Sequence, residues 1–348
     1  MVRFIVTLLL FSLNISESYS QGKEQSNLAY QYYELGDSLL LISQYDSSMF
    51  YLKKASALFK TVENWEMHVM SLNKLSINLW WNSKLDESLE LAEEALLLSK
   101  KHLGENHYTA GYCLENIASV HQLKGDADNA AFYMEQSIQI LKSELSEGHE
   151  DVGRAYHSLC GIQYSKGKFQ EAYTSCKKAL KVCKNNFGTI HLRVAEIYLT
   201  LGLIYETMGT YDSALNHYEE SLNTFLETIG EKHHRVSVAY DQLGGIYQLK
   251  GFYDSAIFFF EKSASVLNQT DTRYFARMAG HNKRLGDINF VNGSYEPALE
   301  YYKASLDIYS QSELNNVYEL PKLNNSIGEI YFIKGDYANA MKYFSAGS

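Results

Sequence analysis

One pattern is written twice between residues 201 and 263, with 42 residues between the copies. Leu201-Gly202 returns as Leu243-Gly244, and Tyr205 returns as Tyr247. Gly209-x-Tyr211 becomes Gly251-x-Tyr253, Asp212-Ser213-Ala214 becomes Asp254-Ser255-Ala256, and Ser221 becomes Ser263. A fixed period of this length marks a protein built from stacked units, each burying its apolar face only against its neighbours.

Projecting the frame in both directions gives eight units, led by Leu35-Gly36, Leu75-Ser76, Ile117-Ala118, Leu159-Cys160, Leu201-Gly202, Leu243-Gly244, Leu285-Gly286 and Ile327-Gly328. Only the first step departs from 42, at 40 residues. Within the fifth unit, Tyr198, Leu201, Gly202 and Tyr205 are spaced as one face of a helix. Met208-Gly209-Thr210 ends that helix, with glycine where a positive φ costs little. Asp212 then starts a second helix, a negative charge at the positive end of its dipole. Pro297 sits in the first turn of the seventh unit's second helix, where proline is tolerated. Gly202 opposite Ala214 is expected to bring the two helices close. The sequence therefore predicts an all-α solenoid of about eight helix-turn-helix units.

The pattern Leu-Gly-x-x-Tyr, then Gly-x-Tyr-x-x-Ala, then Tyr or Phe resembles the tetratricopeptide repeat. The long connection from Leu226 to Val236 is similar to that of the 42-residue repeats of kinesin light chains. The resemblance covers roughly residues 28–346 and is weakest in the first two units, where Ser76, Ser83 and Ser88 replace the usual Gly and Ala. It implies a right-handed superhelix of hairpins whose first helices line a concave, peptide-binding groove. It also implies a scaffold without catalysis of its own.

Residues 1–20 read as a leader to be set aside before fold reasoning. Arg3 is the positive flank, residues 4–13 are apolar, and Ser18-Tyr19-Ser20 offers small residues before a cleavage point at Gln21. Ten apolar residues are too few to span about 30 Å of hydrocarbon as a helix. An exported protein is expected, periplasmic or secreted, without membrane insertion after cleavage. Residues 21–27 form a short N-terminal segment, and 28–348 form the array.

The formal charge of −10 and the lack of a basic cluster speak against nucleic acid or an anionic membrane as partner. Four cysteines are few for an exported protein, so disulfides are not the scaffold. Cys160 and Cys176 fall on the two facing helices of one unit, which leaves either a single bridge or two small buried thiols, the second favoured.

His107, His149, His191 and His233 recur at 42-residue intervals, yet adjacent repeats stack about 10 Å apart, too far for side chains to converge on one ion. A repeated polar contact at the start of each first helix is expected instead. No Walker loop, G-x-S-x-G or H-E-x-x-H is present, so no enzyme activity, metal or cofactor is expected.

Helical arithmetic places the groove. With Leu201 as position 7 of its unit, positions 4, 7, 8 and 11 form the apolar face. At about 100° per residue, positions 2, 5, 9 and 12 form a separate stripe roughly 130° round the helix. On it fall Asn73, Trp80, Glu115, His157, Tyr164, Asp241, Lys283, Asp287, Phe290, Asn325 and Phe332. No pair of units carries the Lys and Asn set with which family members clamp a chaperone's terminal carboxylate. The mixed polar and aromatic stripe suits an extended peptide instead.

The leading functional expectation is an exported, non-enzymatic scaffold that binds a protein or peptide segment in its concave groove. The alternative is the sensor or recruitment part of a larger signalling or CHAT-type protease protein. The eighth unit's second helix is expected to be short, about ten residues from Ala338 to Ser348, with no cap helix in this sequence to cover it. Ile327, Tyr331, Ala340 and Phe344 are therefore expected to keep one flank open to water, covered by further residues or by end-to-end self-association.

Overall fold

The computed structural model describes the backbone of residues 2–267, 275–311 and 318–347, and side chains over 22–267, 275–310 and 318–347. The leader-like side chains, from Arg3 to Gln21, lie outside the described ones. Among the described residues there are sixteen helices and no strand. They divide between two compact units, Met1–Asn186 and Phe187–Ser348.

The first unit holds α1 (Val2–Leu41), α2 (Tyr45–Thr61), α3 (Trp65–Trp81), α4 (Leu85–His102), α5 (Tyr108–Leu123), α6 (Ala127–Leu145), α7 (Glu150–Ser165) and α8 (Phe169–Phe187). The second holds α9 (Leu192–Thr207), α10 (Tyr211–Ile229), α11 (His234–Leu249), α12 (Tyr253–Val266), α13 (Phe275–Val291), α14 (Tyr295–Gln311), α15 (Glu319–Ile333) and α16 (Tyr337–Gly347). Each odd-numbered helix and its successor are the two helices of one sequence repeat. Within each unit contacts run between consecutive helices, and α3 also touches both α1 and α5, the preceding and following first helices. That pattern is a stack of hairpins with nearest-neighbour cohesion.

Inside a hairpin the small residue at position 8 faces the residue sixteen further on. A Cβ on Gly244 would lie 2.7 Å from the Phe260 ring, one on Gly286 2.6 Å from Tyr302, and one on Gly36 2.7 Å from Leu52. Gly202 likewise faces Tyr218, so the ring of the second helix, not Ala214, occupies the space its missing side group leaves. A second tether repeats beside it: Ser137 Oγ donates to Gly111 O at 2.7 Å, Ser221 Oγ to Ala195 O at 2.8 Å, and Ser305 Oγ to Ala279 O at 2.8 Å.

Glycine occupies the left-handed position between the two helices of most hairpins, as at Gly209 (φ 73°) and Gly251 (φ 79°). In the first two hairpins Ser43 and Ser83 take that conformation, each at φ 61°. Consecutive hairpins are also joined by a repeated ion pair across 38 residues. Lys124 reaches Asp86 at 2.6 Å, Lys166 reaches Asp128 at 2.5 Å, Lys334 reaches Glu296 at 2.7 Å, and Lys250 pairs with Asp212. These exposed pairs are each worth about 0–1 kcal/mol and mark register more than they supply stability.

The four cysteines are free and buried, with a side-chain hydrogen bond joining Cys176 to Cys160. In the last hairpin Ile327 and Ala340 are buried, contrary to the expected open flank, Ile327 in one cluster with Ala298, Tyr302 and Tyr309 of the preceding hairpin. Phe332, Ile333, Tyr337, Met341 and Phe344 are the exposed large apolar side chains there, so the expectation holds for Phe344. No described helix is long and apolar enough to cross a membrane.

Candidate functional site

The recurring histidines act on the backbone. Each precedes a first helix and accepts a hydrogen bond at Nδ1 from the N–H two residues on. The distances are 3.4 Å from Thr109 to His107, 3.3 Å from Asp151 to His149, and 3.2 Å from both Arg193 to His191 and Arg235 to His233. They are N-caps of α5, α7, α9 and α11, satisfying a donor that the helix start leaves orphaned.

A cleft of about 480 Å³ opens in the first compact unit, built from the first helices of four successive hairpins. Helix α3 contributes Met70, Asn73, Lys74, Ile77 and Trp80, and α5 contributes Tyr112, Glu115, Asn116 and Ser119. Tyr33 of α1 and Asp151 and Arg154 of α7 complete it. Met70, Asn73, Ile77 and Trp80 occupy positions 2, 5, 9 and 12 of the second repeat. Tyr112, Glu115 and Ser119 occupy positions 2, 5 and 9 of the third, and Arg154 position 2 of the fourth. The stripe drawn by helical arithmetic is therefore the wall of this cleft.

Arg154 is the electrostatic hinge of the cleft. One guanidinium nitrogen pairs with Glu115, and another lies 3.0 Å from Asp151. The Tyr112 hydroxyl donates to Asp151 at 2.6 Å. Burial pulls the Arg154 pKa down, but the two carboxylates outweigh it and hold it above the usual arginine range. Burial pulls Asp151 up, while the Tyr112 hydroxyl and the Arg154 charge overcome that and leave its pKa lowered. Tyr112 is pushed up in turn, first by burial and then by its bond to Asp151. At the other side Lys74 pairs with Asp37 at 2.6 Å.

Of the eleven stripe residues singled out from the sequence, Asn73, Trp80 and Glu115 meet in this cleft. Trp80 is half-buried and stacked at 4.5 Å on Trp81, whose own ring is 55% exposed. His157 and Tyr164 lie on α7 outside it, Tyr164 packing edge-on against Phe169.

In the second compact unit Asp287 and Phe290 line a smaller cleft of about 220 Å³, with the Tyr302 hydroxyl donating to Asp287 at 2.8 Å. Lys283 lies 3.5 Å from Asp287. Asp241 is bound into a cluster, 3.1 Å from His281 Nε2 and 3.2 Å from Arg284. Asn325 is exposed beside the end of α16, and Phe332 stacks edge-on with Tyr337.

Sequence reasoning did not select Tyr33, Arg154, Tyr112, Met70, Ile77 or Ser119. All six sit on stripe positions, so the same arithmetic applied to every unit would have found them. Asp151, Lys74 and Asn116 fall off the stripe and reach the cleft only through side-group length and packing.

Among the described residues no three His, Cys, Asp or Glu side groups are gathered to hold a metal ion. The arrangement closest to a hydrolytic relay is Ser263, His281 and Asp241. Both Ser263 Oγ (3.2 Å) and Asp241 (3.1 Å) approach the same ring nitrogen, Nε2, so the histidine cannot pass a proton between them.

Family models described as tetratricopeptide repeat match residues 68–143, 151–227 and 193–269, and a second such model matches 321–346. The chain belongs to the tetratricopeptide repeat family. Comparison with curated proteins finds no match. Among solved structures it is similar to BtubC (BKLC) from P. vanneervenii, at 19% identity and a TM-score of 0.54, over 70% of this chain and 90% of that one. A putative kinesin light chain from Podosopora anserina with nearly identical TPR-like repeats is similar at 19% identity and a TM-score of 0.51, over 57% of this chain and 93% of that one. A signal transduction ATPase with numerous domains from Pyrococcus horikoshii, carrying a tetratricopeptide repeat sensor, is similar at 16% identity and a TM-score of 0.66. That likeness covers 91% of this chain, which spans 52% of the ATPase. At these identities the likeness is one of fold. Proteins of this repeat family are generally non-enzymatic scaffolds that bind proteins or peptides.

Proposed function

We propose that this protein is an exported, non-enzymatic scaffold that binds a protein or peptide segment in the cleft formed by α1, α3, α5 and α7. The observation that carries the reading is the lining of that cleft by one stripe of successive repeats, with aromatic, apolar and hydrogen-bonding groups interleaved. A volume of about 480 Å³ lies within the usual range for binding sites. The leader-like composition of residues 1–20 supports export to the periplasm or medium.

Photo-cross-linking from the cleft tests the reading in producing cells. A benzophenone group at position 77 should yield a discrete protein adduct, whereas one at position 132, on an exposed second-helix site, should not. Adducts from 132 alone would contradict it.

A second reading is favoured by the likeness to the repeat sensor of the Pyrococcus horikoshii ATPase, of which this chain spans about half. In it the array is the sensor or recruitment portion of a signalling or CHAT-type protease protein, and the cleft receives the signal. A catalytic domain encoded in frame downstream would favour this reading over the free scaffold. The exposed Phe332, Tyr337 and Met341 would then lie under further residues; in the free scaffold they are the candidate surface for end-to-end self-association.

A further inference from the structure

A second groove of the first unit, of about 450 Å³, runs between α2 and α4 with α3 beneath it. It shares no residue with the cleft of the first helices. Its floor is the apolar face of α3, where Leu72, Leu75 and Leu79 follow one another at helical spacing. Met49 of α2 and Leu91 of α4, both half-buried, form the walls. The two polar groups set among them are bound to each other, Ser56 Oγ lying 2.9 Å from His68 Nδ1. Burial holds the His68 pKa below the usual histidine range, so the floor is uncharged at neutral pH.

The rim has the opposite character. Lys53 and Lys60 stand seven residues apart on one face of α2, and Lys84 stands at the start of α4. The one carboxylate of the lining, Glu87, pairs with Lys84 at 3.5 Å. Lys53 and Lys60 are exposed, and among the described residues neither has an ion-pair partner. Three lysines to one glutamate reverse the balance of a chain whose formal charge is −10. An apolar trough edged by unpaired cations is complementary to an amphiphile with an anionic head.

Two features select an alkyl chain over a protein segment. The three leucines span only about 10 Å, roughly two turns of a partner helix. The polar groups within the groove already serve each other, and burying a peptide N–H or carbonyl there without a partner would be costly. An alkyl chain makes no such demand.

We propose that this groove binds a fatty acid, with its alkyl chain along Leu72, Leu75 and Leu79 and its carboxylate at the Lys53–Lys60 edge. The site lies outside the cleft read as the protein-binding groove and does not depend on that reading.

Calorimetric titration of the full-length protein with laurate, below its micellar concentration, is the test. One saturable site is expected, with affinity rising roughly fourfold per methylene from octanoate through decanoate to laurate. Dodecanol, which keeps the chain and loses the charge, should bind about fivefold more weakly, and dodecyltrimethylammonium more weakly still. The double variant Lys53→Glu/Lys60→Glu should weaken laurate about tenfold without weakening dodecanol. Lys101→Glu, an exposed control on α4, should leave both unchanged. Ala57→Trp, at an exposed α2 position that lines the groove, should abolish binding with the thermal midpoint unchanged.

No saturable laurate binding, or binding that Ala57→Trp leaves intact, would overturn the site. Equal affinity for laurate and dodecanol, or no loss in the double lysine variant, would overturn the carboxylate at the α2 edge. A dimer in sedimentation that Ala57→Trp dissolves and laurate does not would give the groove to a second copy of this chain and overturn the fatty acid as its occupant.

Discussion

Gly244 lies against the ring of Phe260, so close that a Cβ on the glycine would come within 2.7 Å of it. The relation repeats along the chain. Gly faces Leu, Tyr or Phe in five hairpins, whereas Ala118 is matched by Met134, Cys160 by Cys176 and Ser76 by Ala92. In six of the pairs a small residue faces a large one, and only Cys160/Cys176 and Ser76/Ala92 set two small residues against each other.

Gly244→Ala should therefore destabilise the protein by about 1–3 kcal/mol, despite alanine's better helix propensity. Combining it with Phe260→Met, which recreates the Ala118/Met134 pair, should recover at least about 1 kcal/mol of that loss. Chemical denaturation of the two single variants and the double variant gives the coupling. An additive outcome would show that the two positions do not share one packing space.

Ser83 occupies a left-handed turn position, φ 61°, that glycine fills in later hairpins. Ser83→Gly should raise stability by about 0.5–1 kcal/mol by relieving that strain, and Gly251→Ser should lower it by a similar amount. Thermal midpoints of the two variants check the pair of signs.

The histidine caps predict a pattern of substitution. His233→Ala removes the acceptor for Arg235 N–H and should cost about 0.5–2 kcal/mol, while His233→Asn should retain most of it. Hydrogen exchange at the start of α11 should accelerate in the first variant and not in the second.

Burial holds the His157 imidazole down at about 4. In the unfolded state a histidine titrates near 6.5, so between those values the unfolded state binds more protons than the folded one. Stability must then fall as pH drops through this window, by on the order of 3 kcal/mol from this residue. His157→Gln should flatten the slope between pH of about 6.5 and 4, as read from denaturation midpoints. An unchanged slope would show that His157 is not the group responsible.

Much of this fold is legible because a solenoid encodes itself locally. The hairpin boundaries follow from Gly209 and Gly251, and the groove stripe from the 3.6-residue period of α3 and α5. Two things are not legible. Spacing alone pairs Gly202 with Ala214, because it tells which residues share a face but not which turn of the opposite helix meets them; the structure puts Tyr218 there. The ion-paired core of the cleft is also hidden, since Arg154, Glu115 and Asp151 meet only when α5 and α7 are packed. Asp241 shows the same limit, a stripe position whose carboxylate is absorbed by His281 and Arg284.

The central claim is that the cleft of α1, α3, α5 and α7 is where a protein segment binds, and methionine methyl NMR tests it most directly. The protein has eight methionines, of which Met70 lines the cleft, Met134 is wholly buried and Met208 sits at a turn in the second unit. Titration with a peptide selected on the full-length protein should shift the Met70 methyl signal and leave those of Met134 and Met208 in place. Saturable binding that shifts Met208 and leaves Met70 unmoved would contradict the account.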